Sequence, residues 1–396
     1  MRILVVHNDY GIYSGEEAFV DRFVADCREA GHDVGMFRRS SKESRENTWG
    51  KAKGFVSGIY STEGMRMMRE SLKQFRPDII NIHNLYPFIS PPSLQLCRDV
   101  APVVMTVHNY RLICPTGLFL RDGHSCETCL ERGNEWSCIK HNCEENLFKS
   151  VGYALRNSRA RRKRYFMDCV DRFCCLTHFQ REKLEAAGFD SKKMAVIPNY
   201  AEEWPVDDAS LSPEAHESPY VAYIGRLSTE KGIDLLLAAA RALPHIPFGV
   251  VGDSHGHTLY DVPQNVTFCG VMTHEELARF YRGARFVVVP SRCYEGFPNV
   301  LLEAFAAQKA CVVPRHGAFP ELISNGTTMC GVLFEPSNVA DLTRQIAELY
   351  AEPTRAEQLG LNARKHQQAH FSKAVTLAKW ETLLAETIHQ TSHNTP

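Results

Sequence analysis

"YIGRLSTEKGIDLLLAAA", residues 223–240, decides the fold. An apolar strand ends at Gly225, a polar turn carries Arg226 and Lys231, and Lys231-Gly232 leads into a run with helical spacing. Strand, turn and helix in this order are the repeating unit of a parallel sheet. The two cations fall at the ligand-facing end of the strand, where such sheets bind. A diphosphate there would be stabilised by both cations and by nearby backbone N–H groups. A solvated basic loop is the competing reading of this stretch taken alone.

Outward from it the alternation repeats. "YVAYIG", "FGVVG", "NVTFCG", "ARFVVVP", "ACVVP" and "GVLFEP" read as strands with helices between most of them. Towards the N-terminus, "RILVVH", "HDVGMF", "PDIINIHN", "APVVMTVHN", "DRFCCLT" and "KMAVIPN" form a second series, with "SGEEAFVDRFVADCREAG" as a helix ending at Gly31. Near-continuous apolar strands separated by helices imply parallel sheets covered on both faces. A length of 396 residues is long for one hydrophobic core and implies two domains. The expected organisation is α/β, with two doubly wound Rossmann-like domains facing across a cleft. Residues 1–199 form the first, with a Cys-rich insertion at 114–143. The acidic stretch 200–219, with three prolines, is the linker. Residues 220–373 form the second, and a helix within 374–396 ends it or crosses back to the first.

Hydrophobic content of 44%, charged content of 23% and a formal net charge of -1 describe an ordinary soluble globular chain. They give no global attraction to nucleic acid or to acidic lipid. No run of about 18 apolar residues is present, and "MRILVVHNDY" lacks the features of a signal peptide. The expected location is cytoplasmic. The 14 cysteines are then thiols or metal ligands rather than disulfides.

"YEGFPNVLLE", residues 294–303, sets two glutamates around a helix start. Pro298 suits the first turn, Glu303 falls in the second turn on the face of Asn299, and Glu295 lies on the preceding loop. Carboxylates held apart in this way can accept hydrogen bonds from hydroxyls at opposite ends of one polyhydroxylated ligand. The helix N-terminus between them can face an anion. A nucleotide sugar has that layout. A capping carboxylate and an unrelated surface glutamate are the plainer alternative.

"GRLSTEKG", the "GD" at 252–253, "EGFPNVLLEAFAAQKACVV" and "GAFPELI" together resemble the C-terminal half of the retaining glycosyltransferases of family 4, which have the GT-B architecture. "YSGEE" resembles the family's glycine-rich first loop, and "VMTVHN" its strand ending in a catalytic-site histidine. Ser14, Asn109, Tyr200 and Ala318 depart from the pattern, standing where glycine or, for Asn109, aspartate is common.

The resemblance implies an N-terminal acceptor domain, a C-terminal nucleotide-sugar domain and a site residue by residue. Arg226 and Lys231 would bind the diphosphate of a UDP- or GDP-sugar and stabilise it as a leaving group. Glu303 would hold the ribose, and Glu295 with the backbone after Gly296 would contact the sugar. His108 would reach the sugar from the first domain, and Gly15 would let the first loop approach closely. Gly225, Gly252, Val271, Phe297, Asn299 and Val300 complete the donor contacts. No cofactor is implied for catalysis, and the absence of an Asp-x-Asp triplet agrees with metal-independent transfer. The acceptor would be a glycan or lipid-linked glycan in surface polysaccharide synthesis.

Two features stand outside this set. Cys126, Cys129, Cys138 and Cys143 could supply four tetrahedral ligands to a structural zinc, with His141 able to replace one; reduced thiols are the rival. "RNSRARRKR", residues 156–164, carries six cations in nine positions. It reads as a solvated helix face or as a patch for anionic lipid at the inner membrane face, with Tyr165 and Phe166 inserting at the interface. A nucleotide-sugar epimerase of the same fold, a zinc-containing nucleic-acid-binding protein and a non-catalytic sugar-binding relative are the alternatives. The near-neutral charge argues against nucleic acid as a partner.

Overall fold

A computed structural model describes residues 1–11, 13–42, 54, 56–201, 219–253, 261–324 and 326–392. Most of the expected linker, 202–218, lies outside the described residues. The chain divides into two compact units: Met1–Leu118 with Glu127–Pro198 and Ala378–Pro396, and Phe119–Cys126 with Asn199–Leu377.

In the first unit the strands are β1 (Arg2–Asp9), β2 (Asp33–Ser40), β3 (Ile79–Ile82) and β4 (Val103–Val107), followed after the insertion by β7 (Arg172–Cys175) and β8 (Met194–Val196). They form a six-stranded sheet in the order β2-β1-β3-β4-β7-β8, parallel throughout. The apolar runs are buried on both faces, as a parallel sheet requires: Leu4, Val6, Ile80, Ile82, Val103 and Phe173 share one core. The last helix, Lys373–Ser392, joins this unit from Ala378 onward. There the buried Trp380 packs on Phe23 with ring centroids 5.0 Å apart.

The second unit repeats the plan with β9 (Tyr220–Ile224), β10 (Phe248–Val251), β11 (Val266–Phe268), β12 (Ala284–Val288), β13 (Cys311–Pro314) and β14 (Gly331–Phe334). The order is β11-β10-β9-β12-β13-β14, again all parallel. Val221, Val250, Phe286, Val312 and Phe334 pack against Leu236, Leu342 and Ile346 of the covering helices. The chain runs outward from β9 to β11 and then returns to the other side of β9 as β12. That reversal opens a crevice at the carboxyl ends of β9 and β12, where open α/β sheets take ligands. In the first unit the reversal lies between β1 and β3.

The short hairpin of β5 (Leu120–Arg121) and β6 (His124–Ser125) comes from the Cys-rich insertion but groups with the second unit. No described helix is long and apolar enough to cross a membrane.

Candidate functional site

The loops after β9 and β12 build the site. Gly252 approaches the end of β9 so closely that a Cβ there would lie 1.8 Å from the Gly225 carbonyl oxygen. Gly232 has φ +75°, and a Cβ on it would lie 2.0 Å from the Pro290 carbonyl. These glycines let the loop backbones at 225, 232, 252 and 290 converge. The helix Ile233–Ala242 starts from Gly232 as its cap.

On this frame the charged groups meet in pairs. Lys231 Nζ lies 2.6 Å from Glu295 Oε1, and the Ser291 hydroxyl donates to the same oxygen. Burial opposes ionisation of Glu295, but the Lys231 charge and these hydrogen bonds outweigh it and hold the carboxyl below its usual range. For Lys231 burial likewise works against the charge, and Glu295 overcomes it. Arg226 pairs with Glu230 at 3.1 Å with about half of its side chain exposed, and Tyr223 donates its hydroxyl to the Arg226 carbonyl at 2.7 Å.

Helix Asn299–Ala306 follows Glu295, and no side chain caps its N-terminus at Pro298. The Leu301 N–H turns back to the Pro298 carbonyl at 3.0 Å, and the dipole of the helix makes this end favourable to an anion. Asn199 donates to Asn299 at 3.1 Å. Glu303 accepts the Tyr281 hydroxyl at 2.8 Å, and the same hydroxyl lies 3.4 Å from the Val300 carbonyl. Tyr281 lies on the helix His274–Gly283, and no motif marks it in the sequence. Val271 is 77% exposed. Gly296 and Phe297 are buried; the Phe297 ring packs on Phe371 with centroids 5.5 Å apart, so its side chain serves packing and only its backbone is left to contact a ligand.

The loops of the first unit bring histidines and a carboxyl together with the charged Arg111, which donates to the Tyr10 hydroxyl at 3.1 Å. His108, just past β4, stacks on His83 with Nε2 2.7 Å from His83 Nδ1, and Phe19 packs on its other side. Burial, then His7, pulls His108 down to about 3, and burial does the same to His7 itself. Both rings are neutral at physiological pH. Gly15 opens the helix Gly15–Glu29; Ser14 caps it reciprocally with Glu17, which accounts for a serine where glycine is common. Next to it Glu16 accepts the Tyr10 hydroxyl at 2.7 Å and lies 3.5 Å from the Asn109 amide. Burial raises the Glu16 carboxyl to about 7. Sequence reasoning passed over Glu16, since only its buried surroundings set it apart.

Cys138 lies within hydrogen-bonding reach of Cys143, which with burial and the nearby Cys129 and Cys114 pushes its thiol up. Among the described residues, His7, Asp9 and Glu17 are the one set with ligand atoms all within 4.8 Å of one another. In that set Arg38 pairs with Asp9, and the Ser14 cap engages Glu17. Cys126 closes the hairpin, donating its N–H to the Phe119 carbonyl at 2.7 Å, and groups with the second unit, while Cys129, Cys138 and Cys143 group with the first. One expectation needs correction: Tyr165 and Phe166 are not free to enter a membrane interface, being core residues 6% and 5% exposed. Nor is the run 156–164 uniformly solvated. Arg156 is buried under Tyr86 and Tyr153 and donates to the Pro115 carbonyl at 2.8 Å, and Arg161 forks onto Glu135 at 2.9 and 3.0 Å. Arg159, Arg162 and Lys163 remain on the surface.

Residues 13–201 match the model of Glycosyltransferase Family 4, and residues 209–366 match Glycosyl transferases group 1. Both halves of the chain thus carry glycosyltransferase domains, the first that of Family 4. The architecture of the chain is GT-B. The sulfoquinovosyl transferase SQD2 of Arabidopsis thaliana is 29% identical over 174 residues, 42% of this chain and 33% of that protein. The lipopolysaccharide 1,2-N-acetylglucosaminetransferase of Salmonella typhimurium is 27% identical over 234 residues, 52% of this chain and 57% of that protein. Matches to the curated relatives thus span between about a third and three-fifths of their length. Among solved structures, a sucrose-phosphate synthase from Thermosynechococcus elongatus superposes with a TM-score of 0.71 at 21% identity, covering 97% of this chain and 99% of that one. Anabaena HepE, solved with UDP-glucose, gives 0.63 at 17% identity with both chains fully covered. At these identities the likeness of structure is a likeness of fold.

Proposed function

We propose that this chain is a retaining, metal-independent glycosyltransferase that moves a hexose from a UDP- or GDP-sugar to a glycan or lipid-linked glycan in surface polysaccharide synthesis. The observation that carries the reading is the pairing of Lys231 with Glu295 beside an uncapped helix N-terminus, at the crevice between β9 and β12. In a retaining transfer the bond from the sugar to the diphosphate breaks through an oxocarbenium-like state, and negative charge grows on the leaving group. Lys231, Arg226 and the first N–H groups of the helix stabilise that charge where it develops. Glu295, kept ionised by Lys231, accepts a hydroxyl of the sugar. Glu303, oriented by Tyr281, accepts the ribose hydroxyls. In the first unit His108, aligned by His83, is a hydrogen-bonding group that carries no charge. The surface cations Arg159, Arg162 and Lys163 supply local attraction to an anionic, lipid-linked acceptor at the inner membrane face.

The test is a thermal-shift panel of UDP-, GDP-, dTDP- and ADP-sugars on the wild type and on Glu303→Ala. One nucleotide family is expected to raise the melting temperature. Its affinity should fall by about 10- to 100-fold in the variant, as expected for hydrogen bonds to a charged group. A folded wild type that responds to none of them would overturn the reading.

A further inference from the structure

The hairpin of the Cys-rich insertion touches the loop that carries Glu295. Its two strands are joined by Asp122-Gly123, both with positive φ (51° and 75°), the signature of a tight type I′ turn that folds from local sequence. Just before it, Phe119 is 1% exposed and holds φ +49°, a strained backbone for a bulky residue that persists only when its surroundings over-determine it. Those surroundings include Tyr294 of the Glu295 loop. The Phe119 ring lies 5.5 Å from the ring of Tyr294, and His316 meets Tyr294 at 5.5 Å edge-on.

A directed hydrogen-bond chain runs beside these rings. His316 Nε2 lies 2.9 Å from the Ser291 carbonyl, which can only accept, so Nε2 carries the proton. Burial keeps His316 neutral, and Nδ1 is then an acceptor for the Ser125 hydroxyl 3.0 Å away. Ser125 thus donates to His316, and His316 donates to Ser291, whose own hydroxyl donates to Glu295. Ser337 anchors the turn by donating to the Gly123 carbonyl at 3.0 Å. The insertion therefore fixes both residues that flank the loop, Ser291 and Tyr294, and through them the carboxylate between Lys231 and the sugar.

Resting on the donor-site reading above, we infer that the hairpin Phe119–Ser125 is a positioning element of the sugar subsite. Phe119, Ser125 and His316 act through Glu295 rather than on the nucleotide. This gives the insertion a role in choosing and orienting the transferred sugar.

The experiment is calorimetric binding of UDP, GDP, UDP-glucose and GDP-mannose to the full chain. The comparison is among wild type, Phe119→Ala, Phe119→Leu, Ser125→Ala, His316→Ala and His316→Gln, with melting temperatures to verify folding. In the wild type the sugar nucleotide should bind more tightly than its parent nucleotide. Phe119→Ala and His316→Ala should lose that increment, about tenfold, while the parent nucleotide binds unchanged. His316→Gln can still donate to the Ser291 carbonyl and should recover most of the loss, and Phe119→Leu should fall between. An increment preserved in folded Phe119→Leu, Ser125→Ala and His316→Ala would overturn the inference and leave the donor site standing. A wild type that binds none of the four ligands would overturn the donor site and the inference together.

Discussion

The two units share one plan, a six-stranded parallel sheet whose loops at one reversal point carry the polar groups, yet they hold those groups in opposite electrical states. In the second unit Lys231 pairs with Glu295, and Arg292 with the exposed Asp234. In the first, His7, His83 and His108 are driven neutral by burial, and the Glu16 carboxyl is raised. Desolvation acts on Glu295 too. What differs is the balance. At Glu295 the Lys231 charge and the hydrogen bonds outweigh burial. Burial prevails at His7, with Asp9 3.5 Å away, and at Glu16, despite the charge of Arg111. A fixed ion pair suits a site that must meet growing negative charge; uncharged hydrogen-bonding groups suit one that must hold hydroxyls.

The sharpest way to break this comparison is to remove the counter-charge. In Lys231→Ala, burial is left as the dominant influence on Glu295, and the carboxyl should rise above its usual range. Transfer should fall by about 10²- to 10³-fold in kcat/KM, the scale of losing one preorganised group at a developing charge. The acid limb of the kcat/KM profile should move to higher pH, because the variant's Glu295 becomes protonated first. A profile superposable on the wild type would mean that the pair is not what keeps Glu295 ionised.

A second test sets the neutral cluster of the first unit against acid. His7 and His108 titrate near 3 when folded and near 6.5 when unfolded. Between those values the unfolded chain binds more protons, so stability is full above pH 6.5 and is lost as pH falls towards 3. Glu16 works the other way. Raised to about 7 from 4.5, it contributes stability at low pH that is lost as pH rises through 4.5 to 7. From pH 6.5 to 4.5 the two histidines should lose roughly 2 kcal/mol each and Glu16 return about as much as one of them, a net fall of about 2 kcal/mol. Urea unfolding followed by the fluorescence of Trp380, buried in this unit, measures it. His108→Asn should flatten the dependence. Stability that rises on acidification would show the rings to be charged and reverse the contrast.

What was legible in the sequence follows from range. Every strand of both sheets could be read, because a buried parallel strand is a local apolar run bounded by turn residues, as "APVVMTVHN" and "ARFVVVP" show. The spacing of Glu295 and Glu303 was local too. The partner of Glu295 was not, since Lys231 lies 64 positions away. Tyr281, which orients Glu303, sits in a helix whose other residues are ordinary. The hairpin was hidden for the same reason: nothing in "FLRDGHSC" says that it will pack on Tyr294 and His316.

The basic run gives the smallest effect and the finest test of the contrast, because it asks whether a cation of the first unit can be structural. Six cations in one stretch look equivalent in the sequence, but Arg156 is sandwiched by Tyr86 and Tyr153 at 4.2 and 4.6 Å and donates to Asn157 and to the Pro115 carbonyl, while Arg162 is exposed. A planar guanidinium can stack and donate in several directions at once; an ammonium cannot. Arg156→Lys keeps the charge and should still destabilise by about 1 kcal/mol. Arg162→Lys should stay within about 0.5 kcal/mol of wild type. If the two variants melt alike, stacking does not hold Arg156. The buried charge of the first unit would then rest on groups such as Glu135, paired with Arg161, rather than on the stacked Arg156.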